Sequence, residues 1–132
     1  MHIAIVGNGI TGVSAALRLR ELRPDCKITM ISGESDYHYS RPALMYIFMG
    51  HMGYKETKPY EDSFWGEQKI ELVRGWVTEI DSSGHGLRMH DGRNLSYDKL
   101  LIATGAEPNK FGWPGQDLDG VQGFYSLMDL KK

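Results

Sequence analysis

The hydrophobic pattern of the chain changes period several times. Ile3 to Val6 is a short unbroken apolar run stopped by Gly7, the pattern of a strand buried on both faces of a parallel sheet. From Ile10 the spacing becomes helical. Val13, Ala16, Leu17, Leu19 and Leu22 define one face, Arg18, Arg20, Glu21 and Arg23 the other, and Pro24 ends the run. Lys27 to Ser32 returns to a strand. Pro42 suits the first turn of a short helix, Ala43 to Met49, closed by Gly50. Glycines and prolines then break up residues 50–69, with a short helix expected around Tyr60 to Trp65.

Alternation begins after Lys69. Ile70, Leu72 and Val73 mark one short strand and Trp76, Val77 and Ile80 a second. Leu87 and Met89 mark a third, with turns at Ser82–Gly84 and Asp91–Gly92. Together they predict a small antiparallel meander inserted into an α/β unit. Leu100 to Ala103 is again a buried strand, ending at Thr104–Gly105 and fit to lie beside the first. The remainder is rich in Gly and Pro and reads as loop. Trp113–Gly115 and Val121 are expected to pack back on the core, and Asp129–Lys132 to begin a helix.

The turn Gly7-Asn-Gly9-Ile10-Thr11-Gly12 adds chemistry to this pattern. Gly7 permits a tight exit from the strand, Gly9 admits a pyrophosphate close to backbone, and Gly12 lets the helix approach the sheet. Phosphates at that helix N-terminus would meet free N–H groups and the positive end of the dipole. Glu34 follows the second strand at about the spacing of a ribose-binding acid, so it is the expected acceptor of ribose hydroxyls. Arg41, in a polar and aromatic loop, can pair with a pyrophosphate oxygen or simply stay solvated, and its position does not choose.

Composition narrows the class. In 132 residues, 41% are hydrophobic and 24% charged, the balance of one modest globular domain. A net charge of −2 gives no reason to expect nucleic acid or an anionic membrane as partner. Cys26 is the single cysteine, which excludes an internal disulfide or a CxxC pair. The five histidines lack metal-ligand spacing and read as surface or packing residues. With a strand starting at once and no apolar run of about 20 residues, neither signal peptide nor membrane helix is expected, and a cytoplasmic location is.

The glycine turn, the Tyr39-Ser-Arg-Pro42 loop and Tyr97-Asp-Lys-Leu-Leu-Ile-Ala-Thr-Gly105 together resemble the pyridine nucleotide–disulfide oxidoreductase superfamily. The loop is most similar to the branch of nitrite reductase flavin domains, rubredoxin reductases and ferredoxin reductases. The resemblance implies a Rossmann-like parallel sheet with the inserted meander, and FAD as cofactor. By position, Gly7, Gly9, Ile10, Thr11 and Gly12 would hold the pyrophosphate and Glu34 the adenosine ribose. Arg41 and Pro42 would line the flavin side, Val77 would touch adenine through its backbone, and Ala103, Thr104 and Gly105 would close over the cofactor. Tyr46 stands where many members of the branch carry a lysine, and the paired redox cysteines are missing.

The family also has an NAD(P)H-binding domain, a return segment and often a C-terminal domain. None is matched here, so residues 1–132 are expected to be the N-terminal part of an FAD-binding domain, incomplete and truncated. Such a piece would bind FAD, with NAD(P)H expected only in the full-length parent, and turn over poorly alone. It would self-associate through exposed sheet surface, or meet a chain supplying the missing half. The alternative is a non-catalytic module, either for dinucleotide or adenine-nucleotide binding or for self-association.

Overall fold

A computed structural model describes residues 1–131. Four parallel strands form the main sheet: β1 (His2–Val6), β2 (Lys27–Ser32), β3 (Ile70–Arg74) and β7 (Lys99–Ile102), in the order β3-β2-β1-β7. A three-stranded antiparallel sheet, β4 (Val77–Asp81), β5 (Gly86–Met89) and β6 (Asn94–Ser96), lies between β3 and β7 in sequence. The helices are α1 (Ile10–Leu22), α2 (Leu44–Phe48) and α3 (Asp62–Glu67), with 3-10 turns at Arg41–Ala43, Lys55–Thr57 and Asp129–Lys131.

The Ile70 segment departs from the expected meander. It joins the parallel sheet, pairing Ile28 with Ile70 and Ile31 with Val73. The reason is the crossover before it: α3 buries Trp65 among Ile28, Met30 and Ile70, which carries the chain across the sheet and returns it parallel. The local alternation of β3 could not report this. The other meander strands pair as expected, with Asp81 Oδ1 accepting from the Ser83 and Gly84 N–H groups at one turn and Gly92 at φ +85° in the other. Trp76 lies just before β4, and its ring covers Gly33.

Two apolar layers sandwich β1 and β2. Ile3, Ile5, Ile28 and Met30 face α1 and α3, meeting Val13, Ala16 and Trp65. Ala4 and Ile31 face the meander, meeting Leu87, Met89 and Tyr97. β1, covered on both sides, is an unbroken apolar run from Ile3 to Val6 for this reason. β2 is interrupted by the buried Thr29, whose hydroxyl donates to Glu71 Oε2 at 2.8 Å. Leu22, expected on the buried face of α1, is 59% exposed at the last residue of the helix.

Arg20, on the polar face by periodicity, has a structural task. Its Nε donates to the Gln68 carbonyl at 2.8 Å and Nη2 to that of Lys69 at 2.7 Å. Its Nη1 reaches the Pro24 and Cys26 carbonyls, each at 2.8 Å. One side chain thereby ties α1 to the starts of β2 and β3.

From Gly105 to Met128 the chain forms neither helix nor strand. Trp113 and Val121 do not pack back as expected, being 67% and 52% exposed. Tyr125 to Leu127 dock instead, onto the loop after β2. The helix start expected at Asp129 is the final 3-10 turn, and Lys132 lies outside the described residues.

Candidate dinucleotide site

All four parallel strands end on the same edge. β1 is followed by α1 and β2 on one side and flanked by β7 on the other, so the strand order reverses between β1 and β7. Open α/β sheets bind ligands at such a switch point. Gly7 and Ala103 meet there: the Ala103 N–H donates to the Val6 carbonyl at 2.8 Å, and the Gly7 N–H to that of Ile31 at 2.8 Å.

Close packing explains two glycines. At Gly7, φ is +114°, and an added Cβ would sit 2.1 Å from the Ala103 oxygen. At Gly12 an added Cβ would sit 2.0 Å from the Gly7 oxygen. Both positions are therefore closed to any side chain. Gly9 differs, since a Cβ there meets nothing within 4 Å. It is the N-cap of α1, its side-chain cap is missing, and Ile10 and Thr11 follow exposed to solvent. Free N–H groups at the start of a long helix beside open space fit a phosphate-bearing group.

The other expected residues take varied places. Thr104 and Gly105 are exposed just past the end of β7. Val77 opens β4, half-buried against the meander layer and paired with Met89. Pro42 is exposed in the 3-10 turn that precedes α2. Tyr46 is half-exposed on α2, its ring 6.4 Å from that of His51.

Glu34 and Arg41 are bound to each other. Arg41 Nη2 donates to Glu34 Oε2 at 2.7 Å and Nη1 to Oε1 at 3.3 Å, a two-point fork. Nη1 also donates to the Tyr125 carbonyl at 2.7 Å, and the guanidinium lies over the Tyr125 ring, 4.5 Å from its centre. The Tyr39 hydroxyl donates to Glu34 Oε1, and the Leu127 N–H donates to the same oxygen at 3.0 Å. Asp129 Oδ2 holds this stretch in shape by accepting from the Tyr125 and Ser126 N–H groups. Burial raises the Glu34 carboxyl's pKa, but the hydrogen bonds from Arg41, Tyr39 and Leu127 outweigh it and hold the group below its ordinary value. Burial and the adjacent carboxylate push the Tyr39 phenol well above its usual range.

Sequence reading missed Tyr39 and the tail, along with a second loop brace. Asn8, inside the glycine turn, donates from Nδ2 to Ser35, and its carbonyl bonds His38 Nδ1 at 2.8 Å. Burial pushes the His38 imidazole below its ordinary pKa, opposed in part by its hydrogen bond to the Asn8 carbonyl. The polar residues of the 35–41 loop were the available signal, though their partners lie elsewhere in the chain.

The fold and glycine turn define a dinucleotide-binding α/β unit. The chain belongs to the pyridine nucleotide-disulphide oxidoreductase family, whose model matches residues 1–131. It is 31% identical over 121 residues to the ferredoxin–NAD(+) reductase subunit of a benzene 1,2-dioxygenase system from Pseudomonas putida, covering 91% of this chain and 30% of that one. Rubredoxin–NAD(+) reductase of Pseudomonas putida is 32% identical over 133 residues, covering 99% and 34%. A ferredoxin reductase structure from Rhodopseudomonas palustris superposes with a TM-score of 0.88 at 26% identity, covering 98% and 32%. This chain thus spans about a third of such relatives or less. The family is one of FAD-binding flavoproteins. Among the described residues no helix is long and apolar enough to cross a membrane.

Proposed function

We propose that this chain is the FAD-holding part of a reductase that takes electrons from a nicotinamide nucleotide and passes them to a ferredoxin- or rubredoxin-type acceptor. The open space over Gly9, at the N-terminus of α1 and beside the β1–β7 switch point, is the observation that carries the reading. The pyrophosphate would lie along Gly7, Gly9, Ile10, Thr11 and Gly12, the adenosine ribose at Glu34, and adenine by the Val77 backbone. Ala103, Thr104 and Gly105 would flank the cofactor at the end of β7. Arg41 and Pro42 would stand toward the flavin, with the Arg41 fork already committed to Glu34. The names of the related reductases support nicotinamide as donor and small redox proteins as acceptors.

Bound flavin would supply the redox chemistry, accepting two electrons as hydride and releasing them singly. These residues bind and orient it. No second dinucleotide turn follows in this sequence, so with the chain alone nicotinamide would meet flavin by diffusion. Loss of orientation can cost roughly 7–11 kcal/mol, and NADH turnover by the isolated chain is expected to be slow.

Flavin fluorescence titration of the chain and of Gly9→Ala tests the site. Alanine fits the extended backbone and open space at position 9, so the variant should fold like the parent. Its methyl occupies the pyrophosphate's approach, and FAD affinity should fall about tenfold or more, the scale of one disrupted charge-assisted contact. Equal FAD affinity in both proteins would remove the pyrophosphate from this turn.

A further inference from the structure

The two oxygens of Glu34 are not equivalent. Oε1 takes the Tyr39 hydroxyl, the Leu127 N–H and the longer of the two Arg41 contacts. Oε2 takes only Arg41 Nη2 among the described residues. A carboxylate oxygen has two lone pairs, so Oε1 is fully engaged while Oε2 can still accept a hydroxyl. The Tyr39 ring is 6% exposed and lies 6.0 Å from that of Tyr54, so its hydroxyl is held by packing rather than by solvent.

We propose that Tyr39 is a positioning residue for the nucleotide site: its hydroxyl fixes one oxygen of Glu34 and leaves the other for the adenosine ribose. The inference rests on the reading that FAD binds with its ribose at Glu34. A glutamate free in a loop must lose rotamer freedom when a ligand arrives. Tyr39, with the Leu127 N–H and Arg41, removes that freedom beforehand. Its hydroxyl also accepts from the Leu127 N–H at 3.2 Å, and that same amide donates to Glu34 Oε1, so the effect of Tyr39 on the nucleotide passes chiefly through Glu34.

A double-mutant cycle on the whole chain tests this, with FAD as the probe and fluorescence quenching as the readout. Tyr39→Phe keeps the buried ring and removes one hydrogen bond, so FAD should bind about fivefold more weakly. In a Glu34→Ala background the same substitution should change affinity less than twofold. A merely structural role would cost equally in both backgrounds, and that result overturns the proposal. Tyr39→para-aminophenylalanine retains a donor and should restore affinity, including where the phenylalanine variant folds poorly; failure to restore it also counts against the proposal. Wild-type FAD affinity in the Glu34→Ala protein would sink the ribose reading itself, a result distinct from loss of coupling at Tyr39.

Discussion

At the scale of single residues, neighbours decide what a glycine or a carboxylate does. Gly7 and Gly12 share a motif with Gly9 but are closed by backbone within 2.1 Å of an added Cβ, whereas Gly9 is open. At the first two, close backbone packing requires glycine, while at the third a side chain would project into open space. Glu34 shows the same dependence, because its ionisation is set by Arg41, Tyr39 and the Leu127 N–H. Its folded pKa is depressed, so the stability it contributes is present above the ordinary glutamate value and is lost as pH falls through the lower folded one. The Leu127 amide resonance should follow this titration, with a midpoint below that of an exposed glutamate. Glu34→Gln should abolish the titration. A midpoint at or above the ordinary value would show that the tail is not held through this carboxylate.

Elements are joined here by side chains that periodicity assigns to solvent. Arg20 sits on the polar face of α1 and reaches five backbone carbonyls on the approaches to β2 and β3. Removing it strands carbonyls partly shielded from water, and Arg20→Ala should lower unfolding free energy by about 1–3 kcal/mol. Arg20→Lys should recover little, since an ammonium cannot reproduce the guanidinium fork. Urea unfolding of both variants measures this; full rescue by lysine would reduce the interaction to charge alone. The helical period located α1 correctly and misjudged Leu22, because spacing alone carries no record of which elements stand opposite each turn of a helix. β3 makes the same point: a five-residue strand states its own alternation, while its neighbour is chosen by the crossover through α3.

Across the whole molecule, apolar surface remains uncovered. Ile102 on the edge strand β7 is 58% exposed, and Met45, Phe48 and Phe124 lie open around α2 and the tail. We propose that this surface drives self-association of the isolated chain, since an open strand edge with apolar neighbours invites pairing. Sedimentation velocity should show a weight-average mass rising with concentration, and Ile102→Lys should suppress the rise. A monomer at every concentration would remove the proposal.

The sequence by itself determined the order of strands and helices, the glycine turn and the family. These depend on local sterics and on apolar spacing, which neighbouring residues specify. Tertiary structure alone decided that β3 joins the parallel sheet and that Gly7 meets Ala103. It also decided that Tyr125–Leu127, rather than Trp113 or Val121, folds back onto the loop after β2. Tyr39 and Arg41 close on Glu34 together with a backbone amide more than 90 residues away. An amide carries no side-chain identity, so its partner could be found only in space.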